Sequence, residues 1–306
     1  QYLSAKGSPL AQATTMLRVS HRFQQGGSIH ALASLVNEGL YEGQPTLLPL
    51  QDLHAIVAKE TSLAQQKKRP PHLQLLHQPP PAKANGCGWL EPTLAANLCA
   101  GYSTYLQLVQ QGQQGDDQDA WAQAVLADHT SFQLLVALRQ GEWGVAGMNA
   151  TIEALLQEAG LLPQIDAEWY AGRPVMVNRN DYHLKLMNGD MGVCLPYRDK
   201  STGTEQLRVV FDTGTEGVRW VLPSRLRAVE TVFALTVHKS QGSEFKHTML
   251  MLPAHSNPVL TKELLYTGIT RARQCFSLIY ADEQVLEQAM TRQVIRASGL
   301  SNRLSF

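Results

Sequence analysis

Apolar residues recur at helical spacing in several stretches of the chain. Ile29, Leu32, Ala33, Leu35 and Val36 mark one helix face, with Ser28 placed to cap the start and Gly39 to stop the end. The same reasoning predicts helices over 93–111 and 116–128, followed by a strand over 132–138. Met148, Ile152, Leu155, Leu156 and Ala159 then recur on one face of a further helix, which Gly160 closes. Between these, residues 65–85 hold Pro70, Pro71, Pro79, Pro80 and Pro81 and show no sustained period. An extended linker or surface excursion is expected there, without regular order.

From Arg173 to Leu226 the texture changes to short alternating runs, 174–180, 191–196, 207–212 and 218–223, separated by Asn188-Gly189-Asp190 and other Gly-rich turns. A small β-barrel or curled sheet is expected. The rhythm then becomes strand 230–237, loop 238–245, strand 247–253, helix 261–272, strand 276–280 and helix 282–290. Continuous apolar strands of this kind suit a parallel sheet covered by helices on both faces. A β-module thus interrupts an α/β domain, and a further strand with its exit loop is expected over 14–23.

At 306 residues, 44% of them apolar, the chain has ample material for a core, and no run approaches the ~18 apolar residues of a membrane helix. The expectation is a cytoplasmic protein without a membrane partner. Lys plus Arg equal Asp plus Glu at 26 each, so nucleic acid would have to be held by a local groove rather than an overall basic field. Cys87, Cys99, Cys194 and Cys275 form no CxxC pair, which suggests neither zinc nor disulfides, and no metal site is assigned. The start, 1–23, has neither an initiator Met nor a basic-then-apolar leader and is expected to be an internal boundary of a longer protein.

Three segments carry candidate chemistry. Thr236-Val237-His238-Lys239-Ser240-Gln241-Gly242-Ser243-Glu244-Phe245 follows a predicted strand at the end where open α/β sheets bind ligands. Gly242 allows a sharp turn or close approach, and its neighbours supply donors and an acceptor within one loop. Leu265-Tyr266-Thr267-Gly268-Ile269-Thr270-Arg271-Ala272-Arg273 is expected on a helix between the last two strands, and Ser20-His21-Arg22-Phe23 follows the first one. A planar guanidinium such as that of Arg271 suits bidentate recognition of phosphate, while Arg273 has the alternative of being a solvated helix-end cation.

Taken along the chain, segments 20–23, 236–245 and 265–273 resemble motifs IV, V and VI of superfamily 1 helicases. The β-rich stretch, with Gly172-Arg173-Pro174-Val175-Met176-Val177 and Asn188-Gly189-Asp190-Met191-Gly192, resembles the SH3-like insertion of the RecD-type members, the alpha subunits of exodeoxyribonuclease V. The loop 142–149 is similar to that family's Gly-x-x-Gly-x-Asn segment, although Asn149 also suits a helix start. The resemblance implies a second RecA-like motor domain, α/β with a parallel sheet and an inserted SH3-like β-barrel. Residues 1–170 would be its first part, with a helical and Pro-rich excursion at about 40–128; 171–228 the insertion; and 229–306 the remainder.

The implied activity is ATP-dependent 5′–3′ DNA unwinding and translocation in double-strand-break repair and recombination. ATP and Mg²⁺ would be held mainly by the molecule's own N-terminal RecA-like half, with single-stranded DNA, RecB and RecC as partners. Carried over residue by residue, Arg22 and Arg271 reach the γ-phosphate, and Gly242 and Glu244 face the nucleotide. Thr236, His238, Lys239, Ser240 and Gln241 face DNA. Asn180 and Asn188 are either DNA contacts of the barrel or ordinary hairpin-turn residues.

No GxxxxGK[ST] loop occurs in the 306 residues, so no backbone nest with its Lys cradles the β- and γ-phosphates, and the chain alone is expected to be inactive. Asp282, after an apolar strand, is read as a helix cap rather than a metal-binding acid. Two other readings stay open: a stand-alone RecD-like helicase, and a non-catalytic DNA- or protein-binding module.

Overall fold

The computed structural model describes residues 27–41, 49–81, 86–199 and 201–294, without the side chains of 38–41. Motif IV, with Arg22 and the strand expected at 14–23, lies outside the described residues.

Among the described residues the first two helices are α1 (Ser28–Tyr41) and α2 (Pro49–Gln66), and the first strand is β1 (Leu73–His77). The helices α3 (Pro92–Gln111) and α4 (Gln118–His129) follow, then β2 (Phe132–Val136) and α5 (Val145–Glu158). Five short strands come next: β3 (Pro174–Val177), β4 (Met191–Arg198), β5 (Glu205–Asp212), β6 (Val218–Val221) and β7 (Val229–Thr231). The described residues end on β8 (Ala234–Thr236), β9 (Phe245–Met251), α6 (Lys262–Ile269), β10 (Ala272–Tyr280) and α7 (Glu283–Thr291).

Two sheets result. One is wholly parallel in the order β1-β10-β9-β2-β8, and the other antiparallel in the order β6-β5-β4-β3-β7. In the parallel sheet successive side chains enter opposite helical layers. Leu134, Val136, Met249 and Met251 pack with α3, α4 and α5, whereas Leu135, Leu250, Phe276 and Leu278 pack with α1, α2, α6 and α7. Burial on both faces is why these strands read as unbroken apolar runs. The antiparallel sheet also splits its residues: Cys194, Val209 and Phe211 face its own small core, while Val193, Leu195 and Val210 join the cluster of α3 and α4.

The stretch 65–85, expected as a linker, instead completes α2 and contributes β1, an edge strand of the parallel sheet. The prolines flank Leu73-Gln74-Leu75-Leu76-His77 rather than interrupt it, and on an edge strand they cost no internal ladder bond. Buried Glu60 on α2 accepts from Arg69 Nη1 at 2.8 Å and from the His72 N–H at 2.8 Å, which fixes the turn into the strand.

Four smaller expectations also change. Ser28 is the first residue of α1, not its cap, and the helix runs past Gly39 to Tyr41. Ala159 lies beyond α5 and is exposed. The run 230–237 is two strands, β7 in the antiparallel sheet and β8 in the parallel one, because the chain passes between sheets at Val232 and Phe233. Arg271 is not helical: α6 stops at Ile269, and Arg271 occupies the turn into β10. Asp282 caps α7, its carboxylate accepting from the Gln284 N–H at 2.7 Å.

Candidate functional site

Because β2, β8 and β9 are parallel, their exit loops, 137–144, 237–244 and 252–261, emerge on one edge of the sheet. A cavity of about 890 Å³ lies there, walled by Arg139, Gln140, Asn149, Thr231, Lys239 and Asn257 among others. The carboxyl edge of a parallel sheet is where loops of independent sequence converge without disturbing the core.

Its first wall depends on close backbone approach. A Cβ on Gly144 would lie 2.4 Å from the Gln140 carbonyl oxygen, and one on Gly147 2.6 Å from those of Gly141 and Glu142. That crowding explains the Gly-x-x-Gly spacing. Asn149 sits inside α5, not at its start: its amide donates to the carbonyls of Thr231 at 3.0 Å and Ala234 at 3.3 Å, and its oxygen accepts from the Ala234 N–H at 2.9 Å. One side chain therefore fastens the helix to the point where the chain changes sheets.

The second wall is the loop after β8. Thr236 and Ser240 are buried; the Ser240 hydroxyl donates to the Val237 carbonyl at 2.8 Å, and Thr236 Oγ1 accepts from the Lys239 N–H at 3.3 Å. These two hold the loop's shape. His238, Gln241 and Gly242 are exposed. Gly242 has φ +95° with open space where a Cβ would stand, so its backbone, not crowding, calls for glycine. Lys239 reaches across to the antiparallel sheet, donating to Asn178 Oδ1 at 2.8 Å and forming an ion pair with Glu230.

Motif VI closes onto this loop. Arg271, 6% exposed, donates to the carbonyl of Ser243 at 3.0 Å, to that of Ser240 at 3.5 Å, to Thr267 at 3.2 Å and to Thr270 Oγ1 at 3.1 Å. Hydrogen bonds from a charged donor contribute ~1.5–3 kcal/mol each, so the two segments form one mechanical unit. At the rim Arg273 Nε donates to Glu244 at 2.9 Å. Arg271, Gly242 and Glu244 are thus brought together, as are Thr236, Lys239 and Ser240.

Asn180 and Asn188 lie elsewhere, on the loop between β3 and β4, where Asn180 Oδ1 accepts from the Asn188 N–H at 2.8 Å. Sequence reasoning missed Arg139, exposed in the cavity wall without an ion-pair partner among the described residues. It also missed Asn178 and Glu230, the acceptors of Lys239. The only available signal was that Arg139 follows a buried strand; the contact of Lys239 with residues 61 and 9 positions away leaves no local pattern.

Residues 231–279 match the family model of the UvrD-like helicase C-terminal domain. That stretch runs through the strands, loops and helix just described, from the sheet crossover to the end of β10. The chain is 40% identical over 186 residues to RecBCD enzyme subunit RecD of Haemophilus influenzae, covering 60% of this chain and 27% of that protein. It is 33% identical over 288 residues to the subunit of that name from Mycolicibacterium smegmatis, covering 94% and 43%. The ATP-dependent RecD2 DNA helicase of Deinococcus radiodurans is 32% identical over 147 residues, 48% of this chain and 19% of that one. This is the C-terminal region of a RecD-type superfamily 1 helicase. The chain spans about a quarter to two-fifths of the length of the RecD subunits just named. A structure of Pif1 helicase from Bacteroides with ADP-AlF3 and ssDNA overlaps 70% of this chain and 53% of its own at 15% identity, with a TM-score of 0.32, too low to carry an argument.

Proposed function

We propose that this chain is the motor-closing half of an ATP-dependent 5′–3′ DNA helicase and translocase. It would act within a longer RecD subunit of exodeoxyribonuclease V, in the cytoplasm, with RecB and RecC as partners in double-strand-break repair and recombination. Single-stranded DNA lies in the cleft at the carboxyl edge of the parallel sheet, and the nucleotide with its Mg²⁺ is held mainly by the molecule's other RecA-like half. The antiparallel sheet is the SH3-like insertion, 171–228, between motor segments 1–170 and 229–306.

One observation carries this reading: the cavity beside the loop after β2 is also lined by Thr236 and Lys239, at the start of the same loop whose Ser240 and Ser243 carbonyls Arg271 holds. Phosphoryl transfer itself is supplied by nucleotide and metal on the other half. The residues of this chain position and stabilise. Arg271, and Arg22 outside the described residues, bring guanidinium charge to the γ-phosphate, while Gly242 and Glu244 face the nucleotide. In the cleft Arg139 takes DNA phosphate, His238 and Gln241 present polar groups from the loop tip, and Thr236 and Ser240 hold that loop. Lys239 supports the wall through Glu230 and Asn178. Asn180 and Asn188 lie on the neighbouring loop as the insertion's contribution.

Fluorescence anisotropy of the chain with labelled oligo(dT) over a salt series tests the cleft. Affinity should fall as salt rises, and Arg139→Ala should reduce the slope of log affinity against log salt by about 0.7, one phosphate contact on a single strand. Salt-independent binding, or an unchanged slope in the variant, would remove the cleft from DNA recognition.

A further inference from the structure

The loop between β3 and β4, residues 178–190, which carries Asn180 and Asn188, also presents an exposed aromatic ring, Tyr182, that the helicase motifs do not include. We infer that Tyr182 on this loop is a base-stacking platform for single-stranded DNA leaving the cleft. The inference rests on the cleft reading above and extends it by a contact of different chemistry.

The loop sorts its side chains. Leu184 and Leu186 point inward and are buried in the antiparallel sheet's own core with Val175, Val177 and Phe211. Its acids are committed to its own backbone: Asp181 Oδ1 accepts from the N–H groups of His183 at 3.1 Å and Leu184 at 3.0 Å, and Asp190 Oδ2 from that of Met187 at 2.8 Å. Arg219 on β6 pins the tip from below, donating to the carbonyls of Leu184 at 3.1 Å and Lys185 at 2.9 Å. The outward face is Tyr182, His183 and Met187 with Arg179, Lys185 and Asn188.

Tyr182 is 75% exposed and Met187 49%, two of the five most exposed large apolar side chains among the described residues. A loop that commits its acids to its own backbone and shows an exposed aromatic ring, with two exposed cations three residues to either side in sequence, fits a π-stacked base with flanking phosphates. Neither Arg179 nor Lys185 has an ion-pair partner among the described residues. Asn180 belongs to this construction as a support: its amide donates to Tyr182 Oη at 3.3 Å while its oxygen holds Asn188.

The loop is tied to the cleft through one hydrogen bond. Asn178, at the root of the loop, accepts from Lys239, which lines the cavity. Four residues of chain reach at most about 14 Å, so Tyr182 stands within that distance of Asn178, whose side chain touches a residue of the cavity wall. A strand occupying the cleft would pass this loop at the mouth.

The test is the affinity of the chain for fluorescein-labelled oligo(dT), comparing wild type, Tyr182→Ala, Tyr182→Phe and Arg139→Ala across a salt series. Stacking predicts a loss of roughly 5- to 150-fold for Tyr182→Ala with the salt slope unchanged, and near-wild-type binding for Tyr182→Phe. With a ring so exposed, the Ala variant should keep its fold. Wild-type affinity in Tyr182→Ala alongside weakened binding in Arg139→Ala would overturn the platform and leave the cleft reading intact. Equal losses in the Phe and Ala variants, or a reduced slope in Tyr182→Ala, would overturn stacking as its basis. No binding by the wild-type chain would remove the cleft reading and the platform together.

Discussion

The two sheets of this molecule differ in how they carry function. The parallel sheet is sealed on both faces by helices, so its chemistry is confined to one edge, where the loops after β2, β8 and β9 converge. The antiparallel sheet lends one face to the motor core and covers the other with its own loop, so what it offers a ligand is the outside of that loop. A sealed sheet concentrates residues into a motif, because several must act from one short segment. A folded-over loop spreads them, with inward leucines and outward polar or aromatic groups alternating.

The connection between the sheets is the first place to break that contrast. Asn149→Leu should cost about 4 kcal/mol, since the Ala234 N–H and the carbonyls of Thr231 and Ala234 lose their buried partner at ~1–3 kcal/mol each. Urea unfolding measures this, and a change under about 0.5 kcal/mol would mean that the crossover is held by packing alone.

A smaller effect separates the helical layer from the site. Burial pushes the His129 imidazole down to about 4, and neither ring nitrogen has a hydrogen-bond partner among the described residues, its ring lying edge-on to Tyr105. The unfolded chain, with an ordinary His near 6.5, then binds more protons between about pH 4 and 6.5. Stability should be lost as pH falls through that window, by up to about 3 kcal/mol from this group. His247, also lowered to about 4 by burial, adds in the same direction. In His129→Phe the slope of stability against pH should flatten by roughly half; an unchanged slope would rule His129 out as a source.

Weaker again is the bridge from the motif loop to the antiparallel sheet. Both partners of the Lys239–Glu230 pair are 27% exposed, so a double-mutant cycle of Lys239→Met and Glu230→Gln should give about 1 kcal/mol of coupling. No coupling would leave the loop independent of the inserted sheet. The smallest effect belongs to the rim: Arg273, 64% exposed, should cost no more than about 0.5 kcal/mol of stability on replacement by Ala, read as a thermal shift.

What was legible in the sequence follows the same division. The strands β2, β9 and β10 and the helix α5 were readable because burial on both faces, or on one helical face, leaves an unbroken local pattern. The motif loop was readable because its residues share ten consecutive positions. By contrast, β1 was hidden by flanking prolines and lysines, since its strand character comes from pairing with β10, about two hundred residues away. The change of sheet at Val232 and Phe233 was hidden because both strands are apolar and only their partners distinguish them. Arg139, Asn178 and Glu230 became visible only when the fold brought distant loops to one cleft.

The central claim is that Arg271 serves a phosphate held on the molecule's other half while holding the loop after β8 in this one. The direct measurement is DNA-stimulated ATP turnover of the longer protein that includes the nucleotide-binding half, compared among wild type, Arg271→Ala and Arg271→Lys. Both variants should lose ~10³- to 10⁵-fold in turnover, because a lysine cannot reproduce the planar fork. Arg271→Lys, which keeps a cation against the Ser240 and Ser243 carbonyls, should still bind single-stranded DNA within a fewfold of wild type. Turnover in Arg271→Lys and Arg271→Ala equal to wild type would contradict the account.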